Sequence, residues 1–485
     1  MGSLFEELQN YHEKNIYPFH MPGHKRNRAA VEFQPDLTED ITEIEGFDYL
    51  HSATGILRES QEEAARLYGA DETYYSVNGS TGALLAAVSA CVKPGGALLM
   101  ARNCHQSVYH GVCLRQLDSR YLYPRIAAPY GLSGAVFPEQ VEEALAAHKE
   151  AQAVLITSPT YDGVVSPVGE VARVAHAHGV PLIVDEAHGS HFPFHEYFPQ
   201  SALDQGADVA VHSLHKTLPS LTQTALLHVK GKRVDRERLR RFMGMYQTSS
   251  PSYLLMGSMD ACIRRLRKSG AELFEAYVDK LKRLRRRLSG FSYVGLLGEE
   301  LVNCGIAWDY DRSKLILALP PGNVSGHGFS RWLWKAHKLQ MEMETQWYVL
   351  AMTSVADTDE GFERLWRALK DAEDKWRKCG RKLEKKLICQ ESQTALAYGV
   401  QVTAMSQAVD MEKIKIPFLE SAGRVAGDFL YLYPPGIPLV VPGERITSEF
   451  VEAVHGFWKA GLTVRGLSGG PDREVTVLKQ VLGES

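Results

Sequence analysis

The sequence predicts an α/β protein: a large, mostly parallel sheet with helices on both faces, followed by smaller α+β units. Between about residues 60 and 230, helical stretches at 60–68, 81–92, 138–149 and 169–178 alternate with short apolar runs at Ala97–Met100, Ala153–Thr157, Pro181–Asp185, Ala207–His212 and Thr224–Val229. Strands and helices alternating at this spacing call for right-handed crossovers, which set successive strands parallel and cover both faces. Beyond 290 the order changes to a strand (Lys314–Leu319), a helix (Gly326–Lys338), two strands (Leu339–Met343 and Tyr348–Ser354) and a helix (Asp359–Lys375). That order reads as a smaller α+β unit.

The flanking segments complete the organisation. Residues 1–60 show little periodicity but hold HMPGHKR (20–26) and DITEIEGFDYLHSATG (40–55), the mark of an arm wrapped on something else. A large domain is expected over 61–290, a small one over 291–385 and a C-terminal one over 386–485. The charged stretch Lys375–Lys386 reads as a linker or exposed helix end, and a strand-like run at 429–446 precedes a last helix at 447–460. The basic stretch Val278–Leu288 places Val278, Leu281, Leu284 and Leu288 on one stripe, so its charges read as a solvated face.

Bulk properties exclude several classes. With 485 residues, 45% hydrophobic and 23% charged, the chain is long enough for more than one core and is not disordered. A net charge of -4 and a pI near 6.5 offer no basic field for nucleic acid or an anionic membrane, so any phosphate must be gripped locally. The seven cysteines form no close pair, which suits reduced thiols and a cytoplasmic setting. The start lacks a secretory pattern, and the apolar run Ala83–Val92 is far short of the roughly 20 residues that cross a bilayer.

The chemistry concentrates just after the predicted strands. In AVHSLHKTLPSLTQTA (210–225), Lys216 follows an apolar strand among Ser, His and Thr, with no carboxylate nearby in sequence to make it a surface ion pair. A lysine that forms a Schiff base must sit in a partly dry site, neutral often enough to attack, and Ser213 and His215 could donate to a phosphate beside it. Asp185 ends the strand of PLIVDEAHGSH, where an acid can pair with a pyridinium nitrogen. The rival reading is a metal site drawn from Asp185, Glu186, His188, His191 and His195, although their spacing matches no HExxH-like pair. In SVNGSTGALLAAVSAC (76–91) a Gly/Ser turn opens a helix, so its N–H groups with Ser80 and Thr81 suit a monophosphate; a plain helix cap is the alternative. In ARNCHQSVYHG (101–111), His105 stands where an imidazole can stack on a flat ring.

Together NGST, NCHQS, SPTYDG, VDEAHGSH, SLHKTLPSLTQT and YPPGIP, with FHMPGHKR and DITEIEGFDYLH, resemble the fold-type I, pyridoxal-phosphate-dependent ornithine/lysine/arginine decarboxylases. The likeness runs from about residue 16 to 445. It implies pyridoxal 5'-phosphate as cofactor, Lys216 as the Schiff-base lysine, Asp185 at the pyridine nitrogen, His105 stacked on the ring, and Ser80, Thr81, Ser213 and His215 at the phosphate. His188 is implied close to the reacting centre, and His188, His215 or Lys216 as the proton source. The family builds its site across a homodimer, and YQTSSPSY (246–253) is similar to the loop that lends Thr248 or Ser249 to the partner. The chain begins at the decarboxylase arm and so resembles the shorter biosynthetic branch, which leans the substrate toward arginine over lysine or ornithine. Pro219 replaces a small residue usual before Ser220. A basic substrate needs a distal acid: Glu43, Glu45 and Asp48 of the arm are the candidates, with Asp162 and Glu444 next. An aminotransferase or another lyase would share Lys216 and Asp185, and a PLP-binding regulator without activity is a third class.

Overall fold

The computed structural model describes residues 3–128, 130–320, 324–378, 382–383, 390–391, 398–432, 436–459, 464–468 and 473–479. A seven-stranded sheet lies at its centre. The strands are β1 (Glu72–Ser76), β2 (Ala97–Ala101), β3 (Asp118–Leu122), β4 (Ala151–Thr157), β5 (Leu182–Asp185), β6 (Val209–His212) and β7 (Ala225–Val229), in the order β1-β7-β6-β5-β4-β2-β3. β7 runs antiparallel to β1 and β6, and the other neighbours pair in parallel. β2, β5, β6 and β7 are buried at every position, which is why they read as continuous apolar runs. The chain steps from β2 out to β3 and returns on the other side as β4. Such a reversal opens a crevice at the carboxyl ends of the strands, where doubly wound sheets take ligands.

The helix expected at 60–68 begins earlier, at Ile56. Its start is set from outside the local pattern: Asp48 Oδ2 accepts the N–H groups of Gly55 at 2.6 Å and Leu57 at 2.9 Å. The basic stretch 278–288 is the end of a longer helix, Tyr253–Leu288, with Val278, Leu281, Leu284 and Leu288 buried as expected. Its charges are not simply solvated. Arg287 pairs with Glu363 at 2.8 Å and Arg283 with Asp359 at 3.3 Å, while Arg285 donates to the carbonyls of Arg312 and Lys314, both at 3.0 Å from Nη2.

A second, antiparallel sheet follows in the order Gly295–Leu297, Lys314–Ala318, Tyr348–Met352, Met343–Glu344, with helices Gly326–His337 and Asp359–Arg377. Beside it the arm forms a separate two-stranded parallel sheet, Tyr17–Phe19 with Leu339–Met341. The strand-like run at 429–446 divides into Leu430–Leu432, Ile437–Val440 and Glu444–Arg445; part of YPPGIP, at 433–435, lies outside the described residues, as do 379–381 and 384–386 of the expected linker. Phe418, Leu430, Val440, Phe450 and Val454 form a core of their own beside these strands.

One buried cation ties that unit to the large sheet. Arg102, directly after β2, donates to Glu444 Oε2 at 2.9 Å, to the carbonyls of Pro438 at 2.7 Å and Leu439 at 3.1 Å, and to Tyr109 Oη at 2.9 Å. Both charged groups are buried, Arg102 at 0% and Glu444 at 1% exposure, so each depends on the other. Arg102→Leu strands the Glu444 carboxylate and is expected to cost about 3–5 kcal/mol in urea unfolding, most of it recovered in a double variant with Glu444→Leu. A single-variant loss below about 1 kcal/mol would mean that water reaches Glu444.

Candidate active site

A cavity of about 250 Å³ opens at the carboxyl ends of the strands. It gathers Ser80 and Thr81 after β1, His105 after β2, Asp185 and His188 at the end of β5, and Ser213, His215 and Lys216 after β6. Residues far apart in sequence therefore meet because each follows a strand of one sheet.

Lys216 sits on the short helix Leu214–Thr217, half-buried, with Nζ 3.0 Å from His188 Nε2. Burial holds its ammonium below the ordinary lysine pKa, while Asp185 and Glu342 pull the other way. Asp185 is buried; its Oδ1 accepts the Ala187 N–H at 3.2 Å. Burial raises its carboxyl, and Lys216, that N–H and His212 partly offset the rise. An acid in this state gains from any cation brought against it.

His105 caps helix Gln106–Arg115, its Nδ1 accepting the Ser107 N–H at 3.3 Å and lying 2.9 Å from Ser107 Oγ. Burial, then Lys216 and His110, push it down to about 4, so the ring is a neutral wall at pH 7. His215 donates from Nδ1 to the Thr224 carbonyl at 3.0 Å, and burial takes it down to about 4. In its neutral form it therefore presents a lone pair at Nε2.

At the start of helix Gly79–Cys91 no side chain caps the first turn. Asn78 is turned onto the Tyr246 carbonyl at 3.0 Å, and Ser80 Oγ lies 2.5 Å from Ser213 Oγ. Gly79 holds φ +63, a conformation that glycine takes readily. Two residues before Gly79 the chain is clamped from both sides: Val77 donates to Gln247 Oε1 at 2.8 Å and accepts from Gln223 Nε2 at 2.5 Å. The result is an uncapped helix start with hydroxyls beside it, an anion cradle.

The arm lies against this site within the same chain. A Cβ on Gly23 would fall 2.7 Å from both the N and the O of Leu218, so only glycine admits so close an approach. Gly23 donates to the His215 carbonyl at 2.6 Å, and Lys25 reaches the Met352 carbonyl at 2.8 Å. The arm thus wedges the lysine-bearing turn against the second sheet.

Other expected residues lie apart from the cavity. Thr248 is exposed, its hydroxyl 3.1 Å from Ser250 Oγ. Glu43 and Glu45 are exposed on the arm, and Asp48 is engaged at the helix start described above. Asp162 accepts from Tyr348 Oη at 2.8 Å, and Glu444 is held by Arg102. The members of the rival metal set face separate partners: Glu186 meets His212 at 2.7 Å, His191 meets Asp311 at 3.1 Å and His195 meets Glu275 at 3.1 Å.

Met21, Asn103, Thr160, Tyr161 and Ile437 also line the cavity. HMPGHKR and SPTYDG marked the first and the Thr–Tyr pair as motifs without a role. Glu342 accepts the Met21 N–H at 2.8 Å and bonds Tyr161 Oη, and Lys314 stands 2.9 Å from His188 Nδ1. Nothing local distinguishes either residue: Lys314 opens strand Lys314–Ala318, and Glu342 is the bend between Leu339–Met341 and Met343–Glu344.

Residues 2–331 match the Orn/Lys/Arg decarboxylase major domain, and residues 382–461 match the C-terminal domain of the same family. The chain is 32% identical to the arginine decarboxylase of Halalkalibacterium halodurans, over 98% of this chain and 97% of that one. Among solved structures it superposes on the lysine decarboxylase LdcF of Francisella novicida with a TM-score of 0.77 at 17% identity, covering 99% of this chain and 84% of that one. It also superposes on the serine palmitoyltransferase of Sphingomonas wittichii with a TM-score of 0.55 at 18% identity, covering 74% of this chain and 87% of that one. These two show a shared fold.

Proposed function

The chain belongs to the Orn/Lys/Arg decarboxylase family and is a basic amino acid decarboxylase; we propose that it acts on L-arginine, with pyridoxal 5'-phosphate carried on Lys216. The observation that carries this reading is the half-buried Lys216 amine at the sheet's carboxyl edge, with Asp185 buried behind it and an uncapped helix start beside it. The residues fit the cofactor: the first turn of helix Gly79–Cys91, with Ser80, Thr81 and Ser213, suits its phosphate, Asp185 its ring nitrogen and the neutral His105 its ring face. His215 would donate to the phosphate only on gaining a proton, which a neighbouring anion favours.

When bound, pyridoxal phosphate supplies an electron sink for the pair released as a carboxylate leaves. The protein's share is position and charge. Lys216 would hold the group in place, and Asp185 would keep a counter-charge at its ring nitrogen. His105 and the arm exclude water from the two sides. The proton that the product carbon takes up is held by the His188–Lys216 pair, whose Nε2 and Nζ lie 3.0 Å apart. A carboxylate left without an arginine clamp is destabilised relative to the transition state in which it departs.

Release of labelled CO2 from carboxyl-labelled L-arginine, L-lysine and L-ornithine tests the substrate. Arginine is expected to give the highest kcat/KM, supported by the full-length likeness to an arginine decarboxylase; a preference for lysine or ornithine would overturn the choice. Glu43, Glu45 or Asp48 would meet the substrate's distal cation from across a homodimer, and Thr248 or Ser249 the partner's phosphate. Heterodimers of Lys216→Ala subunits with subunits altered at both Thr248 and Ser249 are then expected to regain activity, because one of the two sites recovers both groups. With subunit exchange verified, a mixture that stays inactive contradicts sharing through this loop.

A further inference from the structure

His188 is bridged by two lysines: Nε2 lies 3.0 Å from Lys216 Nζ and Nδ1 lies 2.9 Å from Lys314 Nζ. A neutral imidazole has one N–H and one lone pair, and an ammonium only donates. Two ammonium groups therefore cannot both be satisfied by it, and one of the lysines is a neutral amine that accepts the imidazole proton.

The surroundings assign the roles. Lys314 is fully buried among Asp311, Glu342 and Asp162, with the Tyr161 ring 5.9 Å from its Nζ. Burial pulls it down to about 8, opposed by Asp311 and Glu342, which leaves it an ammonium at neutral pH. Lys216 opens on the cavity and, as the reactive amine, works as the neutral partner.

The backbone is built to hold Lys314 there. Its carbonyl accepts from Arg285 at 3.0 Å and from Tyr310 Oη at 2.6 Å. Gly163, at φ +102, leaves room for its stem, since a Cβ would come within 2.8 Å of Lys314 Cγ. Three residues earlier, Asp311 bonds His191 at 3.1 Å. The turn before strand Lys314–Ala318 thus grips the segment after β5 at two histidines.

We propose that Lys314 is a positioning residue: its ammonium donates to His188 Nδ1 and fixes the Nε2–H tautomer, aiming that proton at a neutral Lys216 amine. This rests on the reading of Lys216 as the cofactor-bearing lysine. Without Lys314 the ring can exchange tautomers, and a lone pair would face the amine for part of the time.

The test uses protein labelled with ¹⁵N-histidine and freed of cofactor, with His188 assigned through His188→Gln. Wild type is expected to show a protonated Nε2 and a bare Nδ1 at neutral pH. Lys314→Met should move both nitrogens toward mixed values and lower kcat about 10- to 100-fold at similar KM. Lys314→Arg should restore the tautomer and part of the rate. A bare Nε2 in wild type, or unchanged nitrogens in a folded Lys314→Met protein, overturns the proposal, and the wild-type spectrum decides it alone should that variant not fold. A wild-type protein that shows the tautomer but takes up no pyridoxal phosphate overturns the functional reading and, with it, the role given to Lys314.

Discussion

Lys216→Ala is expected to abolish decarboxylation, by about a million-fold or to the limit of detection, the scale on which loss of a covalent nucleophile acts. The side chain is half-buried at the edge of the cavity, so its truncation removes an amine and leaves the surrounding core as it was. Near-ultraviolet circular dichroism and the urea midpoint should therefore stay close to wild type. Cofactor added to the variant should bind more weakly and fail to give the visible absorbance band of the covalently held form. A variant that keeps that band, and keeps it after dialysis, would mean that another amine carries the group.

Asp185→Asn is expected to lower kcat by about 100- to 1000-fold while cofactor still binds, since removing one pre-set electrostatic partner of the reacting system costs on this order. The substitution changes charge and hardly changes shape, and the Ala187 N–H can still be met by the amide oxygen. What is lost is the counter-charge that favours a protonated ring nitrogen. Steady-state kinetics with saturating cofactor check this, and a rate near wild type would assign the counter-charge to another group.

Much of this site could be read from the sequence because its residues directly follow strands. Lys216, Asp185 and His105 each come just after an apolar run, and the runs were clear because those strands are buried on both faces. Ser80 and Thr81 were legible as a Gly/Ser turn opening an apolar helix. What escaped depends on distant segments. The early start of helix Ile56–Tyr68 is set by Asp48, outside any helical window. The charges of 283–287 looked solvated because Asp359, Glu363 and the carbonyls that Arg285 meets lie in later segments of the chain. Lys314 and Glu342 carry no local signal at all, since only the packing of the second sheet against the first brings them to His188 and Tyr161.

Borohydride reduction of the cofactor-loaded protein, followed by peptide mass mapping, tests the central claim most directly. Reduction fixes the covalent link between pyridoxal phosphate and its lysine as a stable amine. The expected result is one pyridoxyl group per chain, on the peptide that contains Lys216, and none when the protein has no cofactor. A label on Lys314 or Lys25, or no label on a protein that still releases CO2 from arginine, would contradict the account.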